Sequence, residues 1–224
     1  MLKITRISKS SWFKFVYKGT TLYIDPGYAG DIDHQKIPFQ ALSDADLILV
    51  SHVHMDHLKK DALDLIWKTD TKIYASQSCL GHMELPMNVF LPLTTLQTHG
   101  LTIQSLHAYN TEEGKSTRKY HQKDDFLGFI IYFDDFKVYF AGDTDIIPEM
   151  RALKDIDLAM LPISGTYVMD LDEAVEATQI IGPTYVIPMH QGLADLDEFK
   201  KKVITLTSST PIILDNGDSY IFEG

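Results

Sequence analysis

The chain has 224 residues, of which 45% are hydrophobic, and carries a formal net charge of −11 at pH 7. This length predicts a single domain over residues 1–224 with a sizeable core, and the acidic balance argues against a broad nucleic-acid-binding surface. No apolar run is long enough to span a membrane, and the first residues lack the apolar region of a secretory signal. A single cysteine, Cys79, excludes an intramolecular disulfide, so we expect a cytoplasmic protein.

Periodic apolar residues separated by turn signals predict a β-meander that gives way to alternating strands and helices. The predicted strands cover residues 2–8, 12–17, 21–24, 45–50, 72–75, 101–106, 126–133, 136–140, 158–163, 185–190, 211–214 and 219–222. The predicted helices cover residues 58–68, 76–81, 148–154, 172–181 and 196–206. The last two strands are expected to pair as a hairpin across Asn216-Gly217.

The stretch 51–57, which reads Ser-His-Val-His-Met-Asp-His, lies in a predicted strand-to-helix loop. Side chains alternate in an extended segment, so His52 and His54 point the same way with Cα atoms roughly 6.5 Å apart. That separation lets two imidazoles bind one ion. As the backbone turns into the helix, Asp56 and His57 are presented from another direction, which suits a second cation. The loop is therefore a predicted metal-binding segment.

Other polar residues follow predicted strands elsewhere in the chain. Asp143 comes just after the strand 136–140, and His190 ends the strand 185–190. Ends of neighbouring strands at one edge of a sheet are where α/β folds collect active-site groups. Taken alone, Asp143 could be a turn residue and His190 a core histidine. Asp25, in a turn signature, is either a turn former or an acceptor that orients a ligand histidine.

The segment 111–125 is too long and too polar for a simple turn, and such loops are often functional lids or disordered. We interpret this one as a cover for the site. Its basic residues either meet an anionic group or form a solvated loop; they are Lys115, Arg118, Lys119 and Lys123. Glu173 and Glu176 are predicted to form a solvated helix face. The remaining histidines without ligand spacing, expected at the surface, are His34, His82 and His99.

Together these motifs resemble the metallo-β-lactamase superfamily of metal-dependent hydrolases. The resemblance rests on His-x-His-x-Asp-His at 52–57, Ala-Gly-Asp-Thr-Asp at 141–145 and the histidine ending Ile-Pro-Met-His at 187–190, in the superfamily's order. Within it, the chain looks like the ascorbate-phosphate lactonase-like and N-acyl-phosphatidylethanolamine phospholipase-like branch. The resemblance implies a four-layer αββα sandwich, with two sheets facing each other, helices on both outsides and metals at one edge.

The resemblance also implies a set of metal ligands. These are His52 and His54 for the first metal, Asp56, His57 and His190 for the second, and Asp143 bridging both. The family usually supplies one more histidine to the first metal, and this chain has Asn110 at the equivalent place. We favour His121 for this role, then His107, with Asn110 as a weaker oxygen ligand.

The implied cofactors are two divalent metal ions; imidazole-rich ligation favours zinc, with manganese or iron as alternatives. A water bridging them would be available as hydroxide near neutral pH to attack an ester, lactone or phosphodiester bond of a small cytoplasmic substrate. Asp56 could also accept a proton as a catalytic residue. The alternatives are a metal-binding scaffold or sensor without catalysis, and a diiron redox enzyme. The expected partner is a small molecule, with no nucleic acid and no membrane span; an oligomer is compatible with the sequence.

Overall fold

The computed structural model describes residues 1–30 and 36–223, and the chain folds as two compact units. The first unit comprises Met1–Leu91 and Leu214–Gly224, and the second comprises Pro92–Ile213. Each unit contains one seven-stranded sheet with both parallel and antiparallel pairs. The single domain over residues 1–224 stays a prediction, and the expectation for His34 lies outside the described residues.

The sheet of the first unit has the order β14-β1-β2-β3-β4-β5-β6. Its strands are β1 (Leu2–Arg6), β2 (Phe13–Tyr17), β3 (Thr20–Ile24), β4 (Leu47–Val50), β5 (Lys72–Ala75), β6 (Met87–Val89) and β14 (Ser219–Phe222). A turn at Lys18-Gly19 joins β2 to β3, with both residues at positive φ as this tight hairpin turn requires. Strands β3 to β6 run parallel, so the carboxyl ends of these strands lie at one edge.

Helical structure in the first unit is shorter than the sequence predicts. Helix α1 covers only Lys60–Asp64, because beyond it the Ile66 N–H bonds to Leu63 O at 3.0 Å, three residues back, and the coil tightens into turns. The predicted helix 76–81 is a 3₁₀ turn of Gln77–Cys79. Ser76 does not cap it through its side chain, since the hydroxyl lies 2.8 Å from the Ser78 hydroxyl. A further 3₁₀ turn covers Phe39–Ala41.

A hydrophobic core stabilises the first unit beneath the motif loop, residues 51–57 between β4 and α1. Every residue of β4 is buried, as expected for a strand with parallel neighbours on both sides. Ile48 of this strand belongs to one apolar cluster with Leu63 of α1 and Ile73 of β5. Each such side chain contributes about 1.5–3 kcal/mol when fully buried. The loop between β4 and α1 is therefore anchored at both of its ends.

The sheet of the second unit has the order β13-β12-β11-β10-β9-β8-β7. Its strands are β7 (Thr95–Thr98), β8 (Leu101–His107), β9 (Leu127–Phe133), β10 (Phe136–Phe140), β11 (Leu158–Pro162), β12 (Tyr185–Met189) and β13 (Thr210–Pro211). Strands β10 to β13 are parallel. Strand β8 is antiparallel to β9, which is antiparallel to β10, so β8 also ends at the edge where β10 and β12 end.

Two α-helices and one 3₁₀ helix belong to the described part of the second unit. Helix α2 covers Leu171–Ile181 and begins with a capping box between Asp170 and Glu173. It ends at Gly182, whose φ of 64° is the left-handed conformation that favours glycine after a helix. Helix α3 covers Leu196–Leu206, as predicted, and the helix predicted at 148–154 is a 3₁₀ helix over Pro148–Ala152.

The predicted hairpin of residues 211–214 with 219–222 is wrong. Strand β13 pairs in parallel with β12, where Thr210 N–H bonds to Thr184 O and Ile212 N–H to Val186 O, each at 2.8 Å. Strand β14 instead pairs antiparallel with β1. Along the chain, Asn216-Gly217 follows β13 and precedes β14 without forming a hairpin, and Gly217 N–H bonds to Arg6 O at 2.8 Å.

Candidate metal centre

Asp25 anchors the motif loop of the first unit from the end of the neighbouring strand. It follows β3, its φ is 49°, and its side chain is fully buried. One carboxylate oxygen accepts the Ser51 N–H at 2.7 Å, and the other accepts the Ser51 hydroxyl at 2.7 Å and His57 Nδ1 at 2.8 Å. Burial raises the pKa of Asp25, and the interactions with His57 and Ser51 oppose this shift. Asp25 is thus an acceptor that orients a histidine.

Ser51 connects Asp25 to His52 by hydrogen bonds and so fixes the orientation of the His52 ring. Its hydroxyl hydrogen is donated to Asp25, so its oxygen accepts from His52 Nδ1 at 2.9 Å. With Nδ1 protonated, neutral His52 carries its lone pair on Nε2. That atom lies 3.0 Å from His54 Nδ1, with the two rings nearly perpendicular. The expectation that His52 and His54 point the same way therefore agrees with the structure.

His57 and Asp56 form the other face of the motif loop. His57 Nε2 lies 3.7 Å from an Asp56 carboxylate oxygen, while its Nδ1 is held by Asp25. The chain reverses here through His57 N–H and Leu58 N–H, which bond to His54 O at 2.9 and 2.8 Å. A Cβ at Gly27 would lie 2.5 Å from the His57 nitrogen, so only glycine lets the Asp25 turn approach the motif so closely.

The second unit brings together Asp143, His190 and His121. Asp143 follows β10 and His190 follows β12, and His190 Nε2 lies 3.3 Å from an Asp143 carboxylate oxygen. His121 Nε2 lies 3.5 Å from the same oxygen. Gly142 has a φ of 67°, and a Cβ there would lie 2.3 Å from Leu127 O. A glycine is therefore needed to present Asp143 at this edge.

The three candidates for the additional histidine position have different surroundings. His121 lies beside Asp143, whereas His107 Nδ1 lies 3.1 Å from a carboxylate oxygen of Asp124. Asn110 uses its side-chain oxygen to accept the His121 N–H at 2.9 Å. Within this unit, the geometry favours His121 over His107 and Asn110.

Ion pairs hold the polar segment 111–125 to Asp145 and Glu149, two residues that the sequence did not indicate as its partners. Lys119 Nζ lies 2.9 Å from a carboxylate oxygen of buried Asp145, and the same oxygen accepts the Thr111 N–H at 2.9 Å. Lys123 pairs with Glu149 at 2.9 Å. Two of the four basic residues are therefore neutralised within the unit. The only sequence signal for Asp145 is its place in Asp143-Thr144-Asp145, and a lid role for this segment stays a prediction.

The predicted solvated face of α2 is wrong for Glu173. Glu173 is buried and accepts the Lys115 N–H at 2.8 Å and the Asp170 N–H at 3.2 Å. The burial of this side chain raises its pKa. Glu176 is exposed as expected, and so are His82 and His99.

A cavity of about 620 Å³ in the second unit has no histidine in its lining. Its wall is formed by Tyr109, Thr111, Glu112, Glu113, Gly114, Lys115, Ile146, Ile147, Pro148, Arg151, Glu173 and Glu176. Neither Asp143 nor the two histidines beside it contribute to this wall. We therefore place the candidate site at the histidine and aspartate clusters, because their nitrogen and oxygen atoms can bind a metal ion.

The donor atoms in both units fit divalent transition-metal ions. Neutral imidazole and carboxylate are ligands for zinc, manganese and iron, and each cluster combines the two. The described residues include groups of histidine and aspartate that could hold a metal ion, drawn from His52, His54, Asp56, His57, His121, Asp143 and His190. Their individual roles as ligands stay predictions.

The fold and these clusters belong to a known class of protein. Residues 3–190 match the β-lactamase superfamily domain. A UPF0173 metal-dependent hydrolase from Natranaerobius thermophilus is 32% identical over 81% of this chain and 85% of its own length. One from Methanopyrus kandleri is 28% identical over 98% of this chain and 99% of its own length. The chain belongs to this family of metal-dependent hydrolases within the metallo-β-lactamase superfamily.

Solved structures confirm the predicted metallo-β-lactamase α/β sandwich. A Parabacteroides distasonis protein assigned as a metal-dependent hydrolase has a TM-score of 0.84 and 31% identity, covering 95% of this chain and 92% of its own. YhfI of Bacillus subtilis, a metallo-β-lactamase fold protein, has a TM-score of 0.75 at 15% identity, covering 99% of this chain and 100% of its own. None of the helices in residues 1–30 and 36–223 has the length and apolar character needed to cross a bilayer.

Proposed function

We propose that the histidine and aspartate clusters of the two units form one binuclear metal centre. This centre hydrolyses an ester, lactone or phosphodiester bond of a small molecule. The main support for the proposal is a contact that His57 and His121 have in common, an oxygen atom beside Nδ1. Nδ1 of His57 lies 2.8 Å from Asp25 Oδ2, and Nδ1 of His121 lies 3.0 Å from Tyr167 O. Each therefore keeps Nε2 for a cation beside a carboxylate, an arrangement typical of metal-ligating histidines.

Each proposed ligand has a defined place. His52, His54 and His121 would hold the first ion, Asp56, His57 and His190 the second, and Asp143 both. Asp143 is suited to bridging because one of its oxygens lies within 3.5 Å of two imidazole nitrogens in its own unit. Zinc suits an imidazole-rich set, and manganese or iron would also be accepted by a set that includes carboxylates.

Two bound cations would supply a water of lowered pKa and would take up negative charge on the attacked group. The residues of the chain do the rest. Asp56, which is partly exposed, can accept a proton from that water or return one to the leaving group. Ser51 and Asp25 keep His52 and His57 in one orientation, so the ligands need little reorganisation. No serine or cysteine nucleophile is required.

Two further observations support the proposal. The curated relatives are named metal-dependent hydrolases, which favours hydrolysis over a metal-binding scaffold. The single cysteine is buried and fits a reducing compartment, so we place the small-molecule substrate in the cytoplasm.

Metal analysis and a reporter screen test this function. Purified protein reconstituted with zinc, manganese or iron is expected to hold two ions per chain and to hydrolyse at least one ester, lactone or phosphodiester reporter. Asp56→Ala is expected to lower this activity at least about 100-fold, the usual share of general acid–base catalysis. Asp64→Ala, which removes an exposed carboxylate that pairs with Lys60 on α1, serves as the matched control.

The outcomes separate the alternatives. Activity that survives both chelation and loss of Asp56 would contradict the metal-dependent mechanism. Two bound ions without any hydrolysis would favour a scaffold or sensor. A visible absorption band with oxygen consumption in the iron-loaded protein would favour diiron redox chemistry.

A further inference from the structure

Asn110 and His121 are joined by reciprocal hydrogen bonds. The Asn110 N–H donates to His121 O at 2.9 Å, and the His121 N–H donates to the Asn110 side-chain oxygen at 2.9 Å. The Asn110 amide nitrogen donates to Tyr167 O at 2.8 Å, and the same carbonyl oxygen lies 3.0 Å from His121 Nδ1. Three backbone segments therefore meet at one asparagine side chain.

The orientation of the Asn110 amide is fixed by these partners. Its oxygen faces a backbone N–H, which can only donate, and its nitrogen faces a backbone carbonyl, which can only accept. A flipped amide would place donor against donor and acceptor against acceptor. The Asn110 side-chain oxygen is thus held toward the His121 N–H.

The same carbonyl determines the hydrogen position of His121. Because Tyr167 O can only accept, Nδ1 of His121 must carry the hydrogen for the 3.0 Å contact to be a hydrogen bond. In the neutral ring, Nε2 then carries the lone pair, on the side where Asp143 lies at 3.5 Å. The position of Tyr167 O therefore sets which nitrogen of His121 can bind a cation.

His121 needs such support because no strand or helix carries it. It lies within the polar segment 111–125, outside any regular element, whereas His190 directly follows β12. A side chain on a loop has its direction set by hydrogen bonds and packing alone. The Asn110 bonds hold both the backbone of His121 and the carbonyl that orients its ring.

We propose that Asn110 is a positioning residue for His121 and not itself a metal ligand. This inference rests on the proposed function, in which His121 binds the first cation. Asn110 acts through the His121 backbone and through Tyr167 O, and its loss would leave the imidazole free to rotate away from the cation.

Two substitutions at Asn110 distinguish a positioning role from direct binding of the cation. Asn110→Ala removes every side-chain bond and is expected to weaken one of the two bound cations about 10–100-fold, the usual effect of losing a group that orients a metal ligand. Asn110→Asp keeps an oxygen for the His121 N–H but sets a second oxygen against Tyr167 O, so it is expected to weaken the same cation. A direct ligand would behave differently, because a carboxylate binds cations more strongly than an amide does.

The measurements are cation affinity, by competition with a chromophoric chelator, and the visible absorption of the cobalt-substituted protein. Circular dichroism of the metal-free variants reports folding separately, and Asn110→Asp remains informative if Asn110→Ala does not fold. Asn88→Ala, which removes a similar 3.1 Å bond from an amide nitrogen to Ile73 O in the first unit, is the matched control. It is expected to keep the affinity and cobalt spectrum of the unmodified protein.

Each result decides a specific point. Unchanged affinity and cobalt spectrum in both folded Asn110 variants would overturn the positioning role, and tighter binding by Asn110→Asp would identify a direct ligand. Failure of the unmodified protein to bind any cation would instead refute the proposed function, so the two failures are distinguishable.

Discussion

Replacing Asp25 by Asn should lower both the stability of the fold and its affinity for one metal ion. The carboxylate accepts three hydrogen bonds, from the Ser51 N–H, the Ser51 hydroxyl and His57 Nδ1, at 2.7 to 2.8 Å. Asp25→Ala would leave three buried donors without this acceptor, at about 1–3 kcal/mol each. That loss is comparable with the whole stability of a typical domain, about 5–15 kcal/mol. The Ala variant is therefore expected to fold poorly.

Asp25→Asn keeps the shape and one acceptor oxygen. If that oxygen stays with the Ser51 N–H, the new NH₂ group faces His57 Nδ1, which must then accept. The ring hydrogen of His57 moves to Nε2, the atom proposed to bind the second cation. We expect the metal-free variant to lose about 1–3 kcal/mol in free energy of unfolding and about 10–100-fold in affinity for one cation.

The assay combines urea unfolding of metal-free protein with metal titration. Asp46→Asn is the matched control, because Asp46 also accepts a backbone N–H, from Thr21 at 2.8 Å, in the first unit but away from the motif loop. It should lose stability without losing a cation. Two cations bound by Asp25→Asn at the affinity of the unmodified protein would refute the argument that Asp25 sets the hydrogen position of His57.

Three further predictions concern residues outside the proposed ligand set. Arg118 donates to the Tyr167 hydroxyl at 2.8 Å and has no carboxylate partner among the described residues. Arg118→Gln should therefore raise KM about tenfold for anionic reporters. An equal rise of KM for neutral reporters would contradict this prediction. Burial raises the pKa of Cys79 to about 11, so Ellman's reagent at pH 8 should label it only in denaturant, and rapid native labelling would contradict its burial. Glu173→Ala removes the capping box of α2 and the hydrogen bond from Lys115 N–H. It should lower the free energy of unfolding, measured by urea titration, by about 1–2 kcal/mol. Glu176→Ala, at an exposed position of the same helix, is the control.

The strand ends that carry the candidate site could be predicted because their signals are local. Apolar runs fix β4, β10 and β12, and parallel neighbours bring their carboxyl ends to a common edge of each sheet. This rule singled out Asp143 and His190, but their predicted roles as ligands came from the family resemblance. The preference for His121 over His107 also came from the resemblance, because no local signal shows how residues 111–125 fold against Tyr167.

Two of the errors, the hairpin and Glu173, have a common cause in contacts between distant residues. Asn216-Gly217 is a strong hairpin signal, but pairing of β13 with β12 and of β14 with β1 is decided by the rest of each sheet. Strands β6 and β7 were missed because they are edge strands with partly exposed, mixed sequences. Glu173 looked solvated because helical spacing cannot reveal that Lys115 lies over it.

The pairing of β14 with β1 has a consequence for synthesis on the ribosome. Leu2 lies opposite Phe222, so the whole second unit is translated before β1 can meet this neighbour. Until then, β1 exposes backbone N–H and C=O groups along one side, where they can pair with a strand from another nascent chain. Contacts of such long sequence separation form slowly. Aggregation during expression should therefore depend on the time between the synthesis of β1 and its pairing with β14.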